Sequence, residues 1–213
     1  MVITAQALPN LAGLIFTAYA FKFAKLAEMN QGCIPSLFTA TSIYIAVLFY
    51  FKFNEKLTVA QISGIAIMIP CVILLSIDKK VDGESSNDLT VKEMKMYGLY
   101  AVLMGLCGPI CWTIQSYYLR LSIERKSFGS VFDLSIDTML FQGLIQTLMY
   151  AVYMSYSVFK WNELIEGAVT GVLFFLGTIF SNLAYETGPG GPINALCCTQ
   201  IIYQSAINAI FFG

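Results

Sequence analysis

The sequence predicts an all-α polytopic membrane protein with seven transmembrane helices, and three observations carry that prediction. The first is composition: of 213 residues, 57% are apolar and only 12% are charged, where a soluble domain carries about 25% charged residues. Mean hydropathy is +0.71. The second is the placement of the charges. Charge-free segments cover residues 1–21, 29–51, 57–77, 96–119, 138–159, 167–185 and 187–213, and about 20 residues at 1.5 Å rise cross the hydrocarbon of a bilayer. The third is pattern. The runs are uniformly apolar, without the alternation over about 10 residues that marks barrel strands. Helices are the other structure that satisfies every backbone group in lipid.

Taken in order, segment one covers residues 8–28, with Pro9 and Asn10 read as a helix start and Lys22 and Lys25 in its last turns. It lacks a basic leader and a small-residue cleavage site, so it reads as a span and not a signal peptide. Segment two, residues 31–53, opens at Gly32 and Pro35 and is followed by a tight charged corner at residues 52–56. Segment three covers 57–77, with Gly64 as a close-packing point and Pro70 as a kink. Residues 78–95 form the main polar linker, ending in a short amphipathic turn at 91–95. Segment four covers 96–119, and Gly105, Gly108 and Pro109 predict a broken or bent site at its middle. The loop at 120–130 holds Arg120 and Arg125. Segment five covers 131–159, with Asp133 and Asp137 in its first turns, where the helix dipole tolerates carboxylates. Segment six covers 167–185. Segment seven covers 191–212, after the Gly188-Pro-Gly-Gly-Pro192 break. Trp161 reads as an interface anchor.

Several function classes are excluded or disfavoured. No histidine is present, so histidine-based metal sites and general bases are ruled out, and no metal or other cofactor is expected. A net charge of −1 without a basic patch offers nothing to nucleic acid. Cys33, Cys71, Cys107, Cys111, Cys197 and Cys198 all fall inside predicted spans and read as packing residues. No span carries paired carboxylates or a Ser/His set, so an intramembrane enzyme is not expected and no catalytic residue is named.

Sliding the chain by 159 positions lays Gly32 on Gly191, Ile34 on Ile193, Leu37 on Leu196, Ile43 on Ile202 and Tyr44 on Tyr203. The preceding helices also correspond, so segments one–two resemble segments six–seven. Segments one and six are an odd number of crossings apart, so the copies face opposite ways. Inverted repeats with a site near the midplane are the architecture of many secondary transporters. Chance similarity between apolar helices is the rival account.

The string Asn54-Glu-Lys-Leu-Thr-Val-Ala-Gln-Ile-Ser-Gly64 resembles the signature of the drug/metabolite transporter superfamily, EamA-like branch, with Glu55, Gln61 and Gly64 as the matching positions. Asn182-Leu-Ala-Tyr-Glu-Thr-Gly188 resembles its second-repeat counterpart. Pro70 departs from the pattern, standing where that family often has glycine. The resemblance implies a ten-helix inverted-repeat (5+5) transporter fold, with this chain as a fragment holding helices three to nine. Residues 1–77 would be the last three helices of the first repeat, and 96–213 the first four of the second. Glu55, Gly64 and Gly191 become a structural or gating motif on that reading. Glu55 is expected to cap segment three or to pair with Lys52 or Lys56, with proton coupling as the alternative.

A transport pathway needs polar groups at membrane depth, which are costly unless they face a cavity or each other. Gln200, Gln204 and Asn208, with Tyr203 beside them, form a polar stripe on segment seven at i, i+4 and i+8. Thr41, Ser42 and Tyr44 on segment two, Asn10 and Thr17 on segment one, and Thr113, Gln115 and Ser116 beside Trp112 on segment four are the other candidates. Each has a packing alternative. Gln142, Gln146, Tyr150 and Tyr153 share a face of segment five and read as packing. The expected function is a membrane transporter of small organic solutes, with the lipid bilayer and a small-molecule substrate as partners and a homodimer allowed. A seven-helix receptor or a non-transporting membrane fragment is the alternative. The expected location is an integral, multi-pass one.

Overall fold

The computed structural model describes residues 2–29, 33–55, 91–156 and 161–188, together with the isolated positions 59, 62, 63, 66, 67, 70, 190 and 193. These contain helices and no strand. The helices are α1 (Val2–Leu26), α2 (Cys33–Leu37), α3 (Ala40–Phe53), α4 (Val91–Glu124), α5 (Val131–Met154) and α6 (Trp161–Thr187). Predicted segments 57–77 and 191–212 lie outside the described residues apart from those isolated positions.

The helices end where the sequence places its charged corners, and they end in the same way. Glu28, Asn54 and Lys126 all adopt left-handed backbone, at φ 54°, 53° and 48°. After α1 the Met29 N–H reaches back to the Ala24 carbonyl and Glu28 N–H to that of Lys25. After α4 Ser127 and Lys126 do the same toward Ser122 and Ile123. Both are Schellman caps, which satisfy carbonyls the helix would otherwise orphan. Asn54 is the residue type other than glycine best suited to this conformation. At the start of α5, the Ser130 hydroxyl accepts the Phe132 N–H at 3.1 Å, as an N-cap should.

Four of the described helical stretches are long and apolar enough to cross a membrane: Val2–Leu26, Ile34–Phe53, Lys92–Glu124 and Leu164–Thr187. The second runs through α2 and α3. At 24 residues α5 matches them in length but is more polar, carrying Asp133 and Asp137. The outer faces suit lipid: Leu140, Leu144, Leu148 and Val152 of α5, and Val169, Val172, Leu173 and Phe180 of α6, are exposed. Every buried polar side chain among the described residues is uncharged.

Side-chain contacts set the helix directions. Phe23 stands 6.1 Å from Tyr97 and 5.7 Å from Tyr100 between ring centroids, while Gly13 lies against Trp112. α1 and α4 are therefore antiparallel. They approach closely where Gly108 meets the Gly13 carbonyl and Thr17, as small residues permit between membrane helices. α1 and α5 are parallel, because Gln6 meets Thr138 and Asn10 meets Gln142. The last turns of α6 meet the start of α5 through Asn182 and Ser135. The starts of α1 and α5 and the ends of α3, α4 and α6 thus share one end, around Ile45, Phe49, Leu119, Val131, Leu134 and Tyr185. A second core, of Ala20, Ala24, Ile34, Leu37 and Ala101, fills the other end. α1 and α6 run in opposite senses.

Several expectations need correction. The first helix begins at Val2, and Pro9 lies inside it; the burial of Gln6, Ala7 and Asn10 outweighs the roughly 3 kcal/mol that an internal proline costs. Segment four is one unbroken helix of 34 residues. Its Gly105 and Gly108 serve contact with Leu37 and α1, and Pro109 is fully buried. Residues 91–95 belong to that helix, as does Arg120, which the sequence placed in a loop. The interruption falls in segment two instead. Between α2 and α3, N–H groups of Phe38, Thr39, Thr41 and Ser42 bond three residues back, a tightened 3₁₀-like stretch just after Pro35. α6 starts at Trp161, which stays exposed.

Candidate buried polar seam and end clamp

The buried polar residues concentrate where α1 meets α5. On α1, Gln6, Asn10 and Gly13 follow a 4–3 spacing and are all buried. On α5, Val131, Ser135, Thr138 and Gln142 follow 4–3–4 and are also buried. Two such stripes meet along a parallel seam. Asn10 Nδ2 donates to Gln142 Oε1 at 2.8 Å. One turn nearer the helix starts, Thr138 Oγ1 donates to Gln6 Oε1 at 3.4 Å. Asn10 lies about 12 Å along α1 from Val2 at 1.5 Å per residue, so the pair sits well inside the helix. α6 joins the seam through Asn182 Nδ2, which donates to Ser135 Oγ at 3.0 Å; that hydroxyl donates in turn to the Val131 carbonyl at 2.7 Å.

Among the uncharged side chains of the described residues, two buried groups are left over. Gln6 is 1% exposed, and its Nε2 has no hydrogen-bond partner. Thr41, on the buried face of α3 that continues to Ile45 and Phe49, is 6% exposed, and its Oγ1 has none either. A buried donor without a partner costs roughly 1–3 kcal/mol.

The second feature is an end clamp. Glu55, just past α3, places Oε1 3.2 Å from Arg120 Nη2 and accepts the Gly190 N–H on Oε2 at 3.1 Å. Arg120 Nη1 donates to the Tyr185 carbonyl at 2.9 Å. One ion pair, its side chains 15% and 19% exposed, therefore ties α3, α4 and the last turn of α6 to the Gly-Pro break. Glu55 does not pair with Lys52 as expected: the left-handed turn at Asn54 places it beside α4. Gly190 fits because a Cβ there would overlap the Phe49 ring.

Among the predicted pathway residues, Asn10 joins the seam and Thr41 is buried. Thr17 and Thr113 turn their hydroxyls back to the Gly13 and Pro109 carbonyls of their own helices. Tyr44 and Gln115 are half-buried. Gln200, Tyr203, Gln204, Asn208, Gly64 and Gly191 lie outside the described residues. On α5, Gln142 is buried, whereas Gln146, Tyr150 and Tyr153 are exposed, so they do not pack as expected. Sequence reasoning missed Gln6, Ser135, Thr138 and Asn182. The 3–4 spacing of Gln6, Asn10, Gly13 and Thr17 could have revealed the first.

Among the described residues, no group of histidines, cysteines and carboxylates has a metal-binding arrangement. Compared with known proteins, the chain matches no family model, no curated protein and no solved structure.

Proposed function

We propose that this chain is a multi-pass membrane transporter of small organic solutes, working by alternating access on an inverted-repeat fold of the drug/metabolite transporter type. The observation that carries this reading is the inside-out distribution of polarity. Amides and hydroxyls of Gln6, Asn10, Thr138, Gln142 and Asn182 are buried between the helices while leucines and valines line the outside. Polar groups in that setting are expensive unless they face a cavity or each other, and Gln6 Nε2 and Thr41 Oγ1 have no partner. The topology suits the reading. α1 and α6, the helices leading the two similar halves, run in opposite senses, as an inverted repeat requires. Asn54 ends α3 at one end of the helix group and Val91 opens α4 at the other.

The test is uptake by the full-length protein reconstituted in liposomes, screened against a panel of small metabolites. Saturable, counterflow-competent uptake of at least one solute is expected. Gln204→Leu should abolish that uptake while expression is retained, and normal uptake by this variant would remove residues 191–212 from the pathway. Protein that is folded and correctly inserted yet moves no member of a broad panel would sink the transport reading.

A further inference from the structure

We infer that the α1–α5 seam is a binding site for an uncharged, hydroxyl-bearing solute, with Gln6 as its principal contact. The inference rests on the transport reading and specifies its substrate class. Gln6 is 1% exposed, and of its two amide atoms only Oε1 is engaged, by the Thr138 hydroxyl. Turning the amide over does not remove the deficit: Nε2 would then meet Thr138 and Oε1 would be orphaned. In either orientation one polar atom of a buried amide is left for something else to satisfy. Thr41 presents a second buried hydroxyl in the same condition. Native interiors leave few such groups, and each calls for an explanation.

The chemistry of the surroundings selects the ligand. A solute hydroxyl both donates and accepts, so it completes Gln6 in either amide orientation. The buried polar side chains of the described helices are amides and hydroxyls without exception. Among the described residues, the partly buried Glu55 and Arg120 are paired with each other. The buried side chains of the seam carry no charge to compensate a phosphate, carboxylate or ammonium brought to Gln6, and burying an uncompensated ion is far costlier than burying a hydroxyl. Neighbouring amides are already committed: Asn10 to Gln142 and Asn182 to Ser135. Gln6 is thus the open position on an otherwise closed seam.

The experiment measures thermal stabilisation and liposome uptake side by side, on the full chain, with matched pairs of probes: free hexoses, polyols and nucleosides against the corresponding phosphates, acids and amines. At least one neutral probe is expected to raise the apparent melting temperature and to be taken up, with charged counterparts at least 10-fold weaker. Gln6→Leu is expected to lose both responses by 10-fold or more, and Gln6→Asn, which keeps an amide, to retain part of them. Wild-type size-exclusion behaviour separates lost binding from lost folding; if Gln6→Leu fails that check, Gln6→Met, closer in shape and also without an amide, serves instead. Preference for charged probes would overturn the substrate class and leave transport standing. Stabilisation by neutral probes without uptake would keep the site and overturn transport. Stabilisation by no neutral probe, or full stabilisation of a folded Gln6→Leu, would overturn the site.

Discussion

Asn10 and Gln142 are joined by a buried amide–amide hydrogen bond of 2.8 Å across 132 residues of sequence. The Gln6–Thr138 pair has the same separation of 132. Two bonds with one offset, four residues apart on each helix, define a parallel register between α1 and α5. That register places the buried polar groups of the two helices opposite each other.

The Asn10–Gln142 bond should show strong coupling. Asn10→Leu or Gln142→Leu alone leaves a buried amide without its partner, at a cost of roughly 1–3 kcal/mol. The double substitution removes both groups and is expected to recover most of that loss. A double-mutant cycle read by thermal or denaturant unfolding in detergent checks this. Strictly additive losses would mean that the two side chains do not meet.

The end clamp makes a separate prediction. Removing one partner of a buried ion pair costs roughly 3–5 kcal/mol, because a charge is left behind; the partial exposure of Glu55 and Arg120 places them at the lower end. Arg120→Met should therefore destabilise more than the double variant Arg120→Met with Glu55→Gln. Glu55→Gln alone keeps an acceptor for the Gly190 N–H and should be milder than Glu55→Leu. The order of melting temperatures across these four variants is the readout.

Glycines separate contact from helix propensity. At Gly13 an added Cβ would lie 2.6 Å from Trp112 Nε1, and at Gly190 it would overlap the Phe49 ring, whereas at Gly171 it meets nothing within 4 Å. Gly13→Ala and Gly190→Ala are expected to lose about 1–3 kcal/mol through overpacking. Gly171→Ala should be neutral or stabilising by up to about 1 kcal/mol, since alanine favours the helix. Pairing Gly190→Ala with Phe49→Leu should restore part of the loss. Thermal unfolding of the set tests all three positions.

Much of the helix pattern was legible from charge alone, because a charged side chain in lipid is costly enough to confine it to corners. The left-handed turns at Glu28, Asn54 and Lys126 fall at such clusters. Proline and glycine misled in two places. Pro9 and Pro109 sit within helices, since tertiary packing repaid the lost backbone bond. On α5, spacing alone grouped Gln142 with Gln146, Tyr150 and Tyr153. The buried stripe instead runs backwards from Gln142 through Thr138 and Ser135, because α1 packs along the first half of that helix.

By itself the sequence determined that the described residues are helical and that several of the helices are apolar enough to cross a membrane. These follow from local free energies: hydropathy over about 20 residues, capping, and the cost of burying charge. Tertiary structure alone decided that Gln6 and Asn10 face Thr138 and Gln142, and that Glu55 pairs with Arg120. Those pairings are set by the shared register of whole helices. A single polar side chain carries too little energy to choose its partner against the many contacts that fix how two helices pack.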